Sequence, residues 1–248
     1  MPFTAAHPAI VLPLGRISER YISLTALVIG SLTPDFEYFL RMDIKSLYSH
    51  TPLGILYFDL PVGLLLFLLY QTYVKNLLID HLPDYLRQRF WLLKNDNKQS
   101  APSAMRWFVI ILSLALGALS HLFWDAFTHV TGWFVLHIDF LASKSIIGVH
   151  YFKLMQHFST VIGLSVIAYS IILLPKTTVA NNPGILKFWR DCALLFLGIA
   201  LLRVISLFVF PHYHIGMGLI IVSAISSGLL ALLIKCIFVH YTLNKTQN

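Results

Sequence analysis

Seven side chains in this sequence are of the types that donate to divalent metals: His7, Asp35, Glu37, His50, His121, Asp125 and His129. Each flanks an apolar stretch whose interior is almost free of charge. Such groups in or beside a bilayer are costly unless they satisfy one another or an ion. A metal needs several of them to converge from different segments, so the chemistry depends on the elements that carry them.

The strongest local signal is Ser120-His121-Leu122-Phe123-Trp124-Asp125-Ala126-Phe127-Thr128-His129. His121 and Asp125 are four positions apart and share one helix face, which lets a helix offer an imidazole and a carboxylate to one ion. His129 follows one turn later, displaced around the helix. The same spacing also suits an i,i+4 hydrogen bond at a membrane interface, and the fragment leaves both readings open. In Thr33-Pro34-Asp35-Phe36-Glu37-Tyr38 the two carboxylates do not share a helix face. An extended or turned backbone after Pro34 would let both meet one ion; an acidic interfacial cap is the other reading. His50 in Ser49-His50-Thr51-Pro52, and His7 before Pro8, stand at segment entrances, where capping is the ordinary role.

The remaining histidines carry less. His137, Asp139, His150, His157, His212 and His214 read as interfacial hydrogen-bonding residues, with Gln156-His157 able to offer polar contacts to a substrate. His81 and His240 fall on the opposite face. Arg203, deep in Leu201-Leu202-Arg203-Val204-Ile205, calls for an internal ion pair.

The elements that must position these groups are membrane spans. The 248 residues are 57% hydrophobic and 12% charged, with a mean hydropathy of +0.75, outside the range of soluble domains. Five segments approach or exceed the length needed to cross a bilayer: Leu53–Tyr73, Trp107–Thr128, Phe158–Leu174, Cys192–Phe210 and Ile215–Tyr241. Asp59 and Pro61 predict a kink in the first. Two shorter stretches, Pro8–Leu14 and Ile22–Leu32, predict a helical hairpin that returns His7 towards Asp35, with Ser18 as N-cap and Pro34 as terminator. The expected fold is therefore all-α: a polytopic bundle of five spans after an N-terminal hairpin, in a single integral-membrane domain. Its parts are residues 1–52 (hairpin and outer loop), 53–174 (three spans) and 175–248 (two spans).

Lysines and arginines gather in Val74–Arg106, Pro175–Arg190 and the C-terminal tail, and are sparse in the alternate loops. The positive-inside rule sends the rich loops to the cytoplasm and the seven candidates to the other face. It also accounts for the net charge of +7 without nucleic acid, for which no basic stripe with interleaved aromatics exists. Pro83–Leu93 reads as a surface helix with Phe90 and Trp91 towards lipid, and residues 95–103 as a polar linker. Cys192 and Cys236 lie in apolar runs, consistent with packing rather than bridging. The opening residues lack the charged start of a signal peptide. No phosphate-binding loop, nucleophile elbow or dinucleotide fingerprint is present.

The opening Met1-Pro2-Phe3-Thr4, His7-Pro8, Leu12-Pro13-Leu14, Gly30-Ser31-Leu32-Thr33-Pro34-Asp35-Phe36-Glu37-Tyr38-Phe39, Ser49-His50, Trp124-Asp125-Ala126-Phe127-Thr128-His129 and Gly132-Trp133 together resemble the bacterial domain-of-unknown-function family 4184. Their order is also distantly similar to inner-membrane metal-dependent hydrolases, which show an early His, Pro-Asp-x-Asp, a His-Arg-Gly-x-Thr-His-Ser block and Ser-His-x-x-x-Asp. Here Glu37 stands for the second Asp, and the His-Arg-Gly block is reduced to Ser49-His50. The resemblance implies a divalent metal held by His7, Asp35, His50, His121 and Asp125 at the non-cytoplasmic face of a bacterial inner membrane. Mixed imidazole and carboxylate donors suit zinc, with manganese or iron as alternatives. It further implies hydrolysis of an ester or phosphoester, with Glu37 as general base and His129 as acid or transition-state donor; a buried site at the bilayer edge suggests a lipid or lipid-linked substrate. A metal or solute transporter, or a structural metal clamp, are the competing expectations.

Overall fold

The computed structural model describes residues 3–94, 104–210 and 215–247; the 95–103 linker, His212 and His214 lie outside them. The chain is helical, with no β-strand among the described residues. Two 3₁₀ segments, Thr4–Ile10 and Leu12–Arg16, precede α1 (Leu24–Leu32), the 3₁₀ turn Thr33–Asp35 and α2 (Phe36–Arg41). A continuous helix from Ile55 to His81 contains α3 (Leu60–Leu69) and α4 (Lys75–His81) with π-helical turns at Ile55–Asp59 and Tyr70–Val74. Then come α5 (Asp84–Lys94), α6 (Ala104–Thr128), α7 (Trp133–His137), α8 (Asp139–Ala142), α9 (Tyr151–Leu173), α10 (Ile185–Val209) and α11 (Met217–Gln247). Five helices, Ile55–His81, Ala104–His137 (counting α7), Tyr151–Leu173, Ile185–Val209 and Met217–Leu243, are long and apolar enough to cross a membrane.

The N-terminal arm departs from the predicted hairpin. Proline lacks the N–H that an α-helix needs, and Pro8 and Pro13 sit inside the two short 3₁₀ segments instead of an α-helical arm. Helix α1 begins at Leu24, not Ile22. Its N-cap is Ser23, whose hydroxyl accepts from the Ala26 N–H at 3.4 Å, while Ser18 accepts from Arg20 N in the preceding turn. The π-turn at Ile55–Asp59, just before Pro61, marks the predicted irregularity. The third span starts seven residues earlier than predicted, because Lys153 and His157 in its first turns lie exposed and interrupt hydropathy without interrupting the helix.

Two compact units divide the chain. The first comprises Met1–Phe36, Ser46–Phe67 and Ser100–Leu173. Here α1 lies directly against α6: a Cβ on Gly30 would fall 2.2 Å from the Leu114 carbonyl oxygen, and one on Gly117 2.3 Å from that of Leu27. Only glycine at both positions allows that backbone approach. Ser23 N donates to Ser113 Oγ at 3.0 Å, fixing the start of α1 to α6, and Ala26, Phe67, Ile110 and Leu114 form the core below.

The second unit comprises Glu37–Lys45, Leu68–Gln99 and Leu174–Asn248. Helices α10 and α11 pack together, with Phe188 and the unbridged Cys192 and Cys236 forming a core with Val74, Leu77 and Leu232. Arg203 donates through Nη2 to the Met42 carbonyl oxygen at 2.7 Å, and through Nη1 to Ser206 Oγ at 3.3 Å. On α5 it is Tyr85, Leu92 and Leu93 that are exposed, while Phe90 and Trp91 are half-buried. Arg89 reaches the Leu174 carbonyl at 2.8 Å, and Lys94 lies over the Trp91 ring.

Candidate metal centre

His121 is the best defined of the candidates. It lies on α6 with no solvent exposure, and its Nδ1 is 2.7 Å from the Ser31 carbonyl oxygen. That carbonyl belongs to the last turn of α1, where helix carbonyls lack partners within the helix. A carbonyl only accepts, so Nδ1 carries a proton and Nε2 is the nitrogen left to face an ion. This is the arrangement by which an outer partner orients a metal-ligating histidine.

Four other side chains converge on that nitrogen. Asp125, one turn along α6, places Oδ2 3.4 Å from His121 Nε2. Asp35, in the 3₁₀ turn after α1, places Oδ1 3.6 Å from it. His50 Nε2 stands 3.4 Å from Asp35 Oδ1 and 3.7 Å from Asp125 Oδ2. His7 stacks its ring on His121 at 3.6 Å between centroids, with Nε2 3.6 Å from Asp125 Oδ1. The donor atoms of His7, Asp35 and His121 lie within 4.8 Å of one another, as do those of His50, His121 and Asp125. Since His121 has only Nε2 to offer, the two groups share one nitrogen and describe a single centre.

At 3.4–3.7 Å these separations are longer than the usual N–H···O hydrogen bond of about 2.7–3.2 Å. They match two donors on one ion: bonds of about 2.0–2.2 Å at a tetrahedral metal set the donors about 3.3–3.6 Å apart. Among the described residues, His7 Nδ1 and Nε2, Asp35 Oδ1, His121 Nε2 and both Asp125 carboxylate oxygens are buried without a hydrogen-bond partner. Leaving so many buried polar atoms unpaired costs about 1–3 kcal/mol each, so the donor set fits an ion that would satisfy them together.

Supporting contacts hold the donors in place. Asp35 Oδ2 accepts from Thr4 Oγ1 at 2.5 Å, which leaves Oδ1 to face the centre. His50 Nδ1 lies 2.9 Å from Ser49 Oγ and 3.0 Å from Ser46 Oγ. Burial, with the adjacent His121 ring, lowers His7 to about 3 against the opposing pull of Asp125 and Asp35. Its ring is therefore neutral at pH 7, the form that ligates. Burial raises the Asp35 carboxyl, but His121, His50, His7 and Thr4 outweigh it and hold the group below its ordinary range.

The two predicted chemical partners lie differently. His129, just past the end of α6, is half-buried with Nδ1 3.1 Å from the Asp125 carbonyl oxygen; its Nε2 is buried without a hydrogen-bond partner among the described residues. Glu37 belongs to the second unit, where its buried carboxylate accepts from Arg41 Nε at 2.9 Å. The backbone stays helical from Thr33 through Arg41, so Asp35 and Glu37 are turned by about 200° from one another rather than aligned.

Of the weaker candidates, His137 and His150 bind backbone carbonyls of Trp133 and Ala142, and His81 that of Leu77. Thr4 and Ser46 were not singled out from the sequence as site residues. Thr4 lies within the opening motif that carried the resemblance; nothing marks Ser46, because a hydroxyl four residues before a histidine has no distinguishing pattern.

No curated protein and no solved structure matches the chain. A family model does match, over residues 1–237 and thus over every residue of the centre. The chain belongs to the family described as Domain of unknown function (DUF4184).

Proposed function

We propose that this protein is a membrane-bound, metal-dependent hydrolase of esters or phosphoesters, with its centre at the non-cytoplasmic face of a bacterial inner membrane. The observation that carries the reading is the set of buried, unpartnered donor atoms on His7, Asp35, His121 and Asp125, spaced as ligands around one ion. His50 completes the set. A divalent cation held there, zinc by its donor types and manganese or iron as alternatives, lowers the pKa of water and polarises the oxygen of the bond to be cut.

The chain's own residues supply the rest. His50 and His129 have side chains 22% and 27% exposed, against none for His7 and His121, so water and substrate approach from their side. The Asp125 carbonyl fixes the His129 proton on Nδ1, leaving Nε2 as a base. His129 takes a proton from the attacking water at Nε2 and delivers it to the leaving oxygen, uniting the two roles first divided between Glu37 and His129. Glu37, engaged by Arg41, is not needed for this transfer.

The test is metal analysis of detergent-purified wild type, His121→Ala and Asp125→Ala, followed by ester and phosphoester hydrolysis. Wild type holds about one ion per chain and both variants lose it; undiminished metal in both would sink the centre. His129→Asn keeps the ion and loses about 10²–10⁴-fold in turnover. Metal without hydrolysis would make the ion a structural clamp, and metal uptake into proteoliposomes would make the protein a transporter.

A further inference from the structure

A cavity of about 320 Å³ runs between the Thr4–Ile10 segment, α6 and α9, and all nine of its lining residues are apolar. Ile10, Phe123, Trp124, Phe127, Ile162 and Val166 form most of its walls. Protein interiors are close-packed, and a recess of this size belongs to the range of ligand sites, about 300–1,000 Å³. No polar group lines it, so a polar molecule would lose its water there without compensation. Two walls are helices long and apolar enough to cross a membrane, and Phe123 and Ile162 are 55% and 58% exposed. In a bilayer, the solvent on that side is hydrocarbon.

The recess adjoins the candidate centre at one side chain. Trp124 stands in its wall and meets the His7 ring edge-on at 5.8 Å between centroids. Asp125 follows Trp124 directly on α6, so the wall of the recess and the candidate centre are linked through Trp124. Ala9 and Ile10 follow His7 within the same 3₁₀ segment. A hydrocarbon chain lying in this recess therefore ends one side chain, Trp124, away from the residues that would hold the ion.

Resting on the hydrolase reading, we propose that the recess is the chain-binding subsite of the centre, and that the substrate is a lipid whose scissile ester or phosphoester adjoins one hydrocarbon chain seated against Trp124. The chain supplies binding; the bond to be cut is placed by the covalent structure of the lipid.

The experiment compares one scissile bond in two settings: a long-chain lipid in mixed micelles and a short-chain, water-soluble analogue. Ile162→Trp and Val166→Trp fill the recess from α9, on partly exposed positions that hold no ligand. Both variants should raise KM for the long-chain lipid about tenfold or more while the short-chain kcat/KM stays within about twofold of wild type, with metal content unchanged. Equal effects on both substrates, or none on either, would overturn the subsite and leave the hydrolase reading standing. Should wild type hydrolyse neither substrate, the hydrolase reading fails instead, and the recess is judged with a diazirine-bearing acyl lipid in nanodiscs. Saturable labelling around Trp124 that Ile162→Trp abolishes supports the subsite; labelling no greater than at the exposed Ile172 overturns it.

Discussion

The two units handle buried polarity in opposite ways. In the second unit, charges among apolar helices find partners within the fold. Asp191 receives Lys235 at 2.8 Å and Arg190 at 3.0 Å, Glu37 receives Arg41, and Arg203 reaches the Met42 carbonyl. In the first unit, the histidines and carboxylates of α6, the Thr4–Ile10 segment and the Thr33–Asp35 turn come together and then stop short, at 3.4–3.7 Å. Isolated orphan atoms occur in the second unit too, on Asn76 and Arg87, but they do not converge. A fold that needed polar residues only for stability would close those gaps. The first unit instead orients Asp35 through Thr4 and His121 through the Ser31 carbonyl, while Asp35 Oδ1 and His121 Nε2 have no hydrogen-bond partner among the described residues.

The contrast is broken most directly at its centre. Asp35→Ala, like the α6 variants, should weaken metal affinity by more than the roughly 10–100-fold expected from an outer-shell loss. Retention of the ion in Asp35→Ala would detach the turn from the site. Next in size is Thr4→Val, which keeps shape and removes the hydrogen bond to Asp35 Oδ2. Metal affinity by competition titration should fall about 10–100-fold. An unchanged affinity would reduce Thr4 to a packing residue. Chelation comes third: if the ion satisfies the orphan atoms, its removal should lower the thermal midpoint in detergent by the equivalent of about 2.7–4.1 kcal/mol at free metal of 100–1,000 times Kd. A midpoint indifferent to chelator would leave the gaps unexplained.

How much of this was legible in the sequence differs between the units as well. The spans were readable because hydropathy over some twenty residues is a bulk property; only their ends moved, as at Tyr151, where exposed Lys153 and His157 mask a helix already under way. His121 and Asp125 were readable because four residues on a helix is a distance in space. Asp35, His50 and His7 were not readable by that rule. Their approach depends on a 3₁₀ segment enforced by Pro8, on the turn after α1 and on the Gly30–Gly117 contact, none of which leaves a periodic signature. Glu37 is a different case: it lies on a helical backbone, and Arg41, four residues on, donates to it.

The second unit offers the control. Lys235→Met removes one partner of Asp191 while Arg190 remains. The thermal midpoint should fall and metal content should not move. A loss of metal here would mean that polar satisfaction in this unit also serves the centre, and the contrast would dissolve.

The smallest expected effect is the sharpest on whether the first unit keeps unpaired atoms for a purpose. Gln156 on α9 is 4% exposed, and its Oε1 has no hydrogen-bond partner among the described residues. It lies two turns from Gly163, which packs on Ala6, and one from Thr160, whose hydroxyl accepts from Phe3 N at 3.0 Å. That face of α9 thus meets the segment bearing His7. An orphan amide oxygen costs about 1–3 kcal/mol, and leucine has nearly its volume without the polar atom. Gln156→Leu should therefore raise the thermal midpoint, by about 2–4 °C for each kcal/mol recovered. If the rise is accompanied by slower hydrolysis at full metal content, the oxygen is an acceptor held ready for substrate. If the midpoint rises and turnover is unchanged, Gln156 is a tolerated defect and the purposeful gaps narrow to the metal centre alone. A fall in the midpoint would show that the oxygen is satisfied in the membrane-embedded protein and remove Gln156 from the contrast.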